Sequence, residues 1–450
     1  MATEPHEEAP APSAHSTSYR IYVLLVLTFS YVLNYADRTV LAIVQQPLQK
    51  EFGLSDTHIG LLSGTAFALL YVTLGVPIAR LAERRNRAKI IAASVGVWSL
   101  MTILCGMASN MIVLTLARIG VGFGEAGATP PSHSLISNYF PERQRAAALG
   151  TYALGLPIGL MLTALFGGWL AENHGWRAAF IVLGVPGIPL AILIFFTVRD
   201  PRSAAPLGQP ANADTLWSAA KRLFGNGAYR HTVIASTIAA GSWASLTQFT
   251  TTFFMRTHGL TLGEASTIFG LANGIAAGLG VLGGGLVATH LHTRNAAAPA
   301  LISSAGAVLA FVTLLLVYSV PGVWLSAIFF TIAAFAQGLY YAPSYSVLQR
   351  TADDRSRATA MALYLLTTIT IGIGLVPLAA GLISDFVAQS AGPGESAQMA
   401  SARGLQTALF IMSSLYIWSA AHFFYSGRFL HHRDQAAAVP VAEGGDFDRA

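Results

Sequence analysis

Twelve apolar stretches, each long enough to cross a lipid bilayer as a helix, run through this 450-residue chain. A bilayer core about 30 Å thick takes roughly twenty helical residues. The stretches fall at about 20–46, 57–79, 89–108, 111–138, 145–171, 177–198, 230–255, 263–289, 297–318, 322–348, 356–386 and 404–427. Inside lipid, backbone polar groups must be satisfied within the segment itself, so the stretches fold as helices. Composition agrees. The chain is 54% hydrophobic and only 10% charged, where an average soluble domain carries roughly 25% charge. The apolar excess therefore faces something other than water. A single cysteine, Cys105, excludes a disulfide framework, a cysteine zinc site and an iron–sulfur centre. No metal and no cofactor are expected. The net charge of +5 sits in short connections between spans, which sets nucleic acid aside as a partner.

The expected fold class is an all-α membrane protein in two six-helix halves. Residues 1–19 form a disordered tail, 20–198 the first half, 199–229 a linker, 230–428 the second half and 429–450 a second disordered tail. No stretch fits a cleaved signal peptide. Within the linker, 213–225 reads as a short amphipathic helix on the membrane surface, with a floppy connection as the alternative. With both termini cytoplasmic, twenty of the 26 Lys and Arg fall in cytoplasmic segments. Four (Lys50, Arg177, Arg256, Arg403) fall opposite, and the positive-inside bias sets that orientation. The remaining two, Arg38 and Arg118, lie inside spans.

The halves repeat. Pro131-Ser132-His133-Ser134 precedes Arg143-Gln144-Arg145-Ala146, and Pro343-Ser344-Tyr345-Ser346 precedes Arg355-Ser356-Arg357-Ala358. Both blocks are offset by 212 residues and close the fourth span of a half. Repeated six-span units indicate a secondary transporter with its site between the halves.

Asp37, Arg38, Arg118 and Glu125 are the formal charges well inside the spans. Each costs about 2.5–3.5 kcal/mol at mid-bilayer on insertion scales, unless it pairs and faces a wet cavity. Arg118 and Glu125 are seven apart, two turns of helix, and share one face. Asp37 and Arg38 are adjacent and can serve different partners. Asp37 and Glu125 are the candidate proton carriers, Asp37 first. Arg38 and Arg118 suit a phosphate or carboxylate, which a guanidinium grips in bidentate fashion. A static ion-pair network that only fixes the fold is the competing reading.

The loop after the second span reads Ala79-Arg-Leu-Ala-Glu83-Arg84-Arg-Asn-Arg87-Ala-Lys89. It resembles the loop signature of the major facilitator superfamily, with Ala79 at its Gly and Glu83 at its Asp. The counterpart at Gly285–His290 is degenerate. The narrower pattern Asn34-Tyr35-Ala36-Asp37-Arg38, with Arg118…Gly124-Glu125-Ala126…Pro131 and Pro141-Glu-Arg143-Gln-Arg145, resembles the Spinster-type transporters of that superfamily. The resemblance implies the twelve-helix superfamily fold and alternating access. It also implies a lipid-like substrate, sphingosine-1-phosphate or a lysophospholipid. It further implies that Glu83, Arg84 and Arg87 latch helix ends on the cytoplasmic side, against a purely topogenic basic cluster.

Weaker candidates for substrate contact are Asn34, Tyr35, His133, Gln248, Gln337, Tyr340 and Tyr341. A structural histidine beside Pro130 and Pro131, and interhelical hydrogen bonds for the others, are the bland alternatives. Gly278–Gly283 fits a dinucleotide-type glycine pattern, but mid-helix with no strand before it, so the match is accidental. No nucleophilic triad or phosphate loop is present, so an enzyme is not expected. The leading reading is a proton-coupled carrier of amphiphiles, a monomer among membrane lipids. A symporter of organic anions and a multidrug efflux transporter are the alternatives.

Overall fold

The computed structural model describes residues 16–201, 216–292, 295–352 and 356–438. Its helices are α1 (Thr17–Ile43), α2 (Gln45–Phe52), α3 (56–84), α4 (Arg87–Gly106), α5 (Met111–Tyr139), α6 (Arg143–His174) and α7 (Trp176–Thr197). After the linker come α8 (Leu216–Gly225), α9 (Gly227–His258), α10 (Leu262–His292), α11 (Ala298–Ser319), α12 (Val323–Thr351), α13 (Thr359–Gln389) and α14 (Ala397–Ala438). Ten of these are long and apolar enough to cross a membrane. Two more rods, α3 and α9, have spanning length. The α9 rod is less apolar because it buries a run of hydroxyl side chains, Thr232, Ser236, Thr237, Ser242, Ser245 and Thr250 among them.

Local rules set the helix ends. Ser16 caps α1 by accepting from the Tyr19 N–H, so the helix starts at Thr17, ahead of the tail boundary read at residue 19. Asn86 and Asn110 cap α4 and α5 in the same way. Of the linker stretch 213–225, Leu216–Gly225 is helix, and residues 213–215 lie outside the described residues. The second tail differs from expectation. Residues 429–438 are not disordered but continue α14 as helix. The stretch Phe429-Leu-His-His-Arg-Asp-Gln-Ala-Ala-Ala438 contains no Gly or Pro to stop it and ends in three alanines, the best helix former.

Four rods, α3, α6, α10 and α13, each carry one widened π turn, at 61–65, 163–167, 272–276 and 368–373. These are the second and fifth spans of each half, so the sequence repeat has a backbone counterpart. The same rods make the contact between the halves, α3 with α13 and α6 with α10, joined by α1 with α9. Close approach requires glycine here. A β-carbon on Gly64 would lie 2.7 Å from the Gly374 carbonyl, and one on Gly381 would collide with the Asp56 backbone.

The hydrogen bonds that join the halves gather at the α2 end of the bundle. Arg256 of α9 donates to both Asp56 carboxylate oxygens (2.8 and 3.0 Å), to Gln49 (2.8 Å) and to Gln46 (3.1 Å). Ser384 and Gln49 donate to Asp56 as well, at 2.6 and 2.7 Å. Asp385 accepts the Asp56 and Thr57 backbone N–H groups at the start of α3, and Gln248 donates to Gln45 at 2.9 Å. Helix α2 is the strut of this seam. Its far end is held by Glu51, which accepts from Arg177 (2.8 Å) and the Trp176 indole (2.7 Å). The Arg177 bond, then the Trp176 bond, hold the Glu51 carboxyl below its usual range.

Removing Arg256 leaves Asp56 as a buried, unpaired carboxylate, which costs about 3–5 kcal/mol. Arg256→Ala is therefore expected to open the seam. Spin labels at Lys50 and Thr257, with Cys105→Ala to clear the background, should report a longer distance in Arg256→Ala and in Gly381→Val. Unchanged distances in both would show that these contacts do not hold the halves together.

Candidate functional site

At the centre of the first half, α1, α4 and α5 bring the intramembrane charges together. Glu125 is fully buried and Asp37 is 1% exposed. Arg38 of α1 donates from Nε to Glu125 Oε2 of α5 at 2.5 Å, tying the two helices. The same guanidinium stacks over Phe67 (4.6 Å), Tyr35 (5.2 Å) and Tyr71 (5.4 Å). Aromatic faces are a good seat for a cation out of water, so Arg38 keeps its charge without a second carboxylate.

Arg118 behaves differently from the side-chain pairing that its position suggested. Its NH1 donates to the Asp37 backbone carbonyl at 2.9 Å, not to the carboxylate. Asp37 Oδ1, Glu125 Oε1, both amide atoms of Asn34, Thr102 Oγ1, Trp98 Nε1 and Arg118 Nε are all buried with no hydrogen-bond partner in the protein. An unpaired buried polar atom costs about 1–3 kcal/mol, so this cluster is costly to keep for packing alone.

A cavity of ≈ 100 Å³ opens beside the cluster, between the halves. Arg38, Arg118, Tyr35 and Phe67 line it from the first half, and Trp243, Gln248 and Pro377 from the second. One wall is charged and the other is polar and apolar, the asymmetry suited to a molecule with a single charged end.

The other predicted residues separate into groups. Gln248 reaches the cavity and also bonds Gln45 at the seam. His133 is exposed and sits edge-on to Tyr152 at 5.2 Å, and Tyr152 stacks on Tyr31 at 4.4 Å. Tyr341 is 39% exposed and packs on Tyr345, which meets Tyr364. Gln337 is buried in α12. Tyr340 turns into the body of the second half, against Tyr416 and Phe423, and is not among the cavity-lining residues. Sequence reasoning did not single out Tyr31, Phe67, Tyr71 or Tyr152. For Phe67 and Tyr71 a signal was available, since aromatics facing Arg38 from α3 are what a desolvated guanidinium needs; Tyr31 and Tyr152 stack on each other instead.

The basic loop also resolves. Arg87 is 1% exposed at the start of α4. It holds Asp200 in bidentate fashion, at 2.5 Å from NH2 and 3.1 Å from Nε, and adds Ser134 (2.7 Å) and Asn138 (2.5 Å) of α5. It thus fastens α4, α5 and the segment after α7 within one half. Arg84 is exposed, and the side chain of Glu83 lies outside the described residues. Of the repeated blocks, Pro131 and Pro343 occupy matching places near the ends of α5 and α12. Arg355 falls outside the described residues.

The sequence profile of the Major Facilitator Superfamily matches residues 27–377. An MFS-type efflux pump of Mycolicibacterium smegmatis is 31% identical over 376 residues, 82% of this chain and 85% of the relative. Protein spinster homolog 1 of Xenopus tropicalis is 25% identical over 479 residues, 97% of this chain and 90% of the relative. Among solved structures, a bacterial homologue of the human lysosomal transporter Spinster, in an inward-facing and unoccupied conformation, is similar with a TM-score of 0.81. It is 31% identical, with 93% of this chain and 99% of that one covered.

For the Arg87 anchor, Arg87→Ala is expected to lower stability by about 3–5 kcal/mol, because it removes one side of a buried ion pair. Arg87→Lys should recover only part, since a point charge cannot fill the fork. Thermal unfolding in detergent checks this, and a midpoint unchanged in Arg87→Ala would contradict it.

Proposed function

The chain belongs to the Major Facilitator Superfamily, a family of transporters and not of enzymes, and is Spinster-like within it; we propose that it is a proton-coupled carrier of amphiphiles with one anionic end, of lysophospholipid or sphingosine-1-phosphate type. As a superfamily member it is a multi-pass membrane protein and a secondary transporter. The observation that carries the finer reading is the Arg38–Glu125 pair at the cavity wall. Arg38 faces the cavity while Glu125 does not, so a phosphate or carboxylate entering there competes with Glu125 for the guanidinium.

The mechanism follows from that competition. When the substrate anion takes Arg38, Glu125 is left as a buried carboxylate without a counter-charge. Such a group takes up a proton sooner than remain charged. Substrate and proton are therefore held together, and release of one favours release of the other. With Glu125 protonated and Arg38 engaged by the substrate anion, the former ion pair carries no net charge when the halves rock. The alkyl part of the substrate lies against Phe67, Trp243, Ile373 and Leu160. Proton binding in the site is thus proposed to bias alternating access.

The bias of basic residues supports placing the α1 start on the cytoplasmic side. On that placement the seam of Arg256, Asp56 and Gln49 lies on the outer side. Arg87 anchors the inner end. A second reading, efflux of amphiphilic drugs, is favoured by the similarity to the mycobacterial efflux pump.

Protein reconstituted in liposomes, with a labelled lysophospholipid and an imposed pH gradient, tests the proposal. Gradient-driven flux is expected, falling at least to the level of empty liposomes in Asp37→Asn and Arg38→Ala. Lipid flux indifferent to the gradient and to Asp37→Asn would remove the coupling. Absence of lipid flux, with flux of a small organic anion or of a drug, would replace the substrate class.

A further inference from the structure

The cavity between the halves has a lopsided charge. Two of its lining residues carry a formal charge, Arg38 and Arg118, and both are positive. Among the described residues, its lining holds no Asp, Glu, Lys or His. The two carboxylates, Asp37 and Glu125, are buried behind it, on the same helices as the arginines. The neighbouring helices bring no formal charge to this centre. From α4 come Trp98, Thr102 and, one turn along, the Cys105 thiol. Tyr71 comes from α3, and Trp243 and Gln248 from α9. The two arginines are held differently. Arg38 has a carboxylate partner in Glu125. Arg118 donates from NH1 to the Asp37 backbone carbonyl at 2.9 Å, and its Nε is buried with no partner. A carbonyl orients a guanidinium without neutralising it. Arg118 is only 2% exposed and yet lines the cavity.

We infer that Arg118 reads a second negative charge on the headgroup: the cavity selects a phosphomonoester amphiphile over a phosphodiester, and each monoester is held with two protons, one on Glu125 and one on Asp37. The inference rests on the proton-coupled reading above and deepens it. Charge counting carries the argument. Without ligand, two guanidiniums and two carboxylates sum to zero. A phosphomonoester brings two negative charges near neutral pH, since its second pKa is about 6. Both charges sit on the oxygens of one tetrahedron, which a cavity of ≈ 100 Å³ can present to Arg38 and Arg118 together. Glu125 then loses Arg38, and Asp37 loses the guanidinium held against its own backbone. Each is a buried carboxylate without a counter-charge, and each takes a proton from the medium with formation of one O–H bond. Two guanidiniums, two phosphate charges and two neutral acids sum to zero again. A phosphodiester with a single charge occupies one arginine and calls for the Glu125 proton alone, because Arg118 still balances Asp37. A zwitterionic headgroup brings a further cation to a wall that already holds two, and like charges repel.

The test is isothermal titration calorimetry of the full chain in detergent, above the second phosphate pKa, in two buffers of different ionisation enthalpy. It yields affinity and the number of protons taken up together. Three ligands share one acyl chain: lysophosphatidic acid (a monoester), lysophosphatidylglycerol (a diester with one charge) and lysophosphatidylcholine (a zwitterion). Glycerol 3-phosphate supplies the monoester without the chain. Wild type is expected to bind lysophosphatidic acid roughly tenfold to a hundredfold more tightly than lysophosphatidylglycerol, the worth of one more charged hydrogen-bonded contact. It is also expected to take up one more proton with it. Arg118→Gln is expected to lose both differences, and Arg118→Lys to keep the extra proton with part of the preference. Asp37→Asn is expected to keep the preference and lose the extra proton. Each variant is read as a ratio between two ligands, so a general loss of folded protein cancels. A wild type without preference for the monoester, tightest binding of lysophosphatidylcholine, or a preference that survives in Arg118→Gln overturns the inference. One proton taken up with monoester and diester alike also overturns it, and leaves the proton-coupled reading standing. No proton uptake with any of the ligands removes that reading as well. Glycerol 3-phosphate binding as tightly as lysophosphatidic acid would make the ligand a free organic phosphate and overturn the amphiphile.

Discussion

One ion pair, Arg38 with the buried Glu125, sets the terms for the rest of the molecule. A guanidinium and a carboxylate are held at 2.5 Å between two helices of one half, the carboxylate buried and the guanidinium partly open to the cavity. Such a pair is weak evidence for stability, because desolvation offsets most of the Coulomb attraction. Removing one partner is what costs. The pair is thus stable when made, expensive when broken, and replaceable by any group that neutralises both ends. An anion for Arg38 and a proton for Glu125 meet that requirement together. The three aromatic rings over Arg38 serve the same end, since they hold the guanidinium in place whichever anion it faces.

The seam at the α2 end meets a different need. It holds the two halves together with groups that lie outside the charged centre, so closing that face does not depend on the Arg38–Glu125 pair. Four of its hydrogen bonds converge on Asp56, from Arg256 twice, Gln49 and Ser384. They are cooperative in the simple sense that Asp56 cannot lose Arg256 without becoming an unpaired charge. The tight glycine contacts between α3 and α13 make the same seam steric as well as polar. The π turns lie in the four rods that pair across the halves, α3 with α13 and α6 with α10, and a widened turn is a natural place for a rod to bend. Rocking of one half against the other can then use four existing irregularities, with no need to break regular helix.

Much of this was legible in the sequence, for physical reasons. Hydrocarbon forces long apolar helices, so the spans could be counted directly, and intramembrane charge is costly enough that Asp37, Arg38, Arg118 and Glu125 stood out. Which of them pair was not legible. Adjacent residues on α1 point to different neighbours, and the sequence does not say that Arg118 takes a carbonyl and Arg38 the carboxylate. Thr102 and Trp98 were invisible because a threonine and a tryptophan in an apolar span look like ordinary packing. The seam was missed for a related reason. Gln45, Gln46 and Gln49 are unremarkable beside a span end, and Arg256 counted only as one of four basic residues opposite the main bias. Asp200 carried no signal until Arg87 was seen to bury itself against it. The tail boundary at 429 was set by where apolarity stops, whereas helix continues on propensity alone to Ala438.

The most direct measurement of the central claim is substrate affinity against pH, for wild type and Glu125→Gln, in detergent and without any gradient. If the substrate anion displaces Glu125 from Arg38 and the freed carboxylate takes a proton, binding and proton uptake are linked. Wild-type affinity then strengthens as pH falls, by up to about tenfold per unit. Glu125→Gln, which has no charge to neutralise, should bind with an affinity that does not follow this slope. Equal slopes in the two proteins, or a wild-type affinity independent of pH, would contradict the exchange at Arg38.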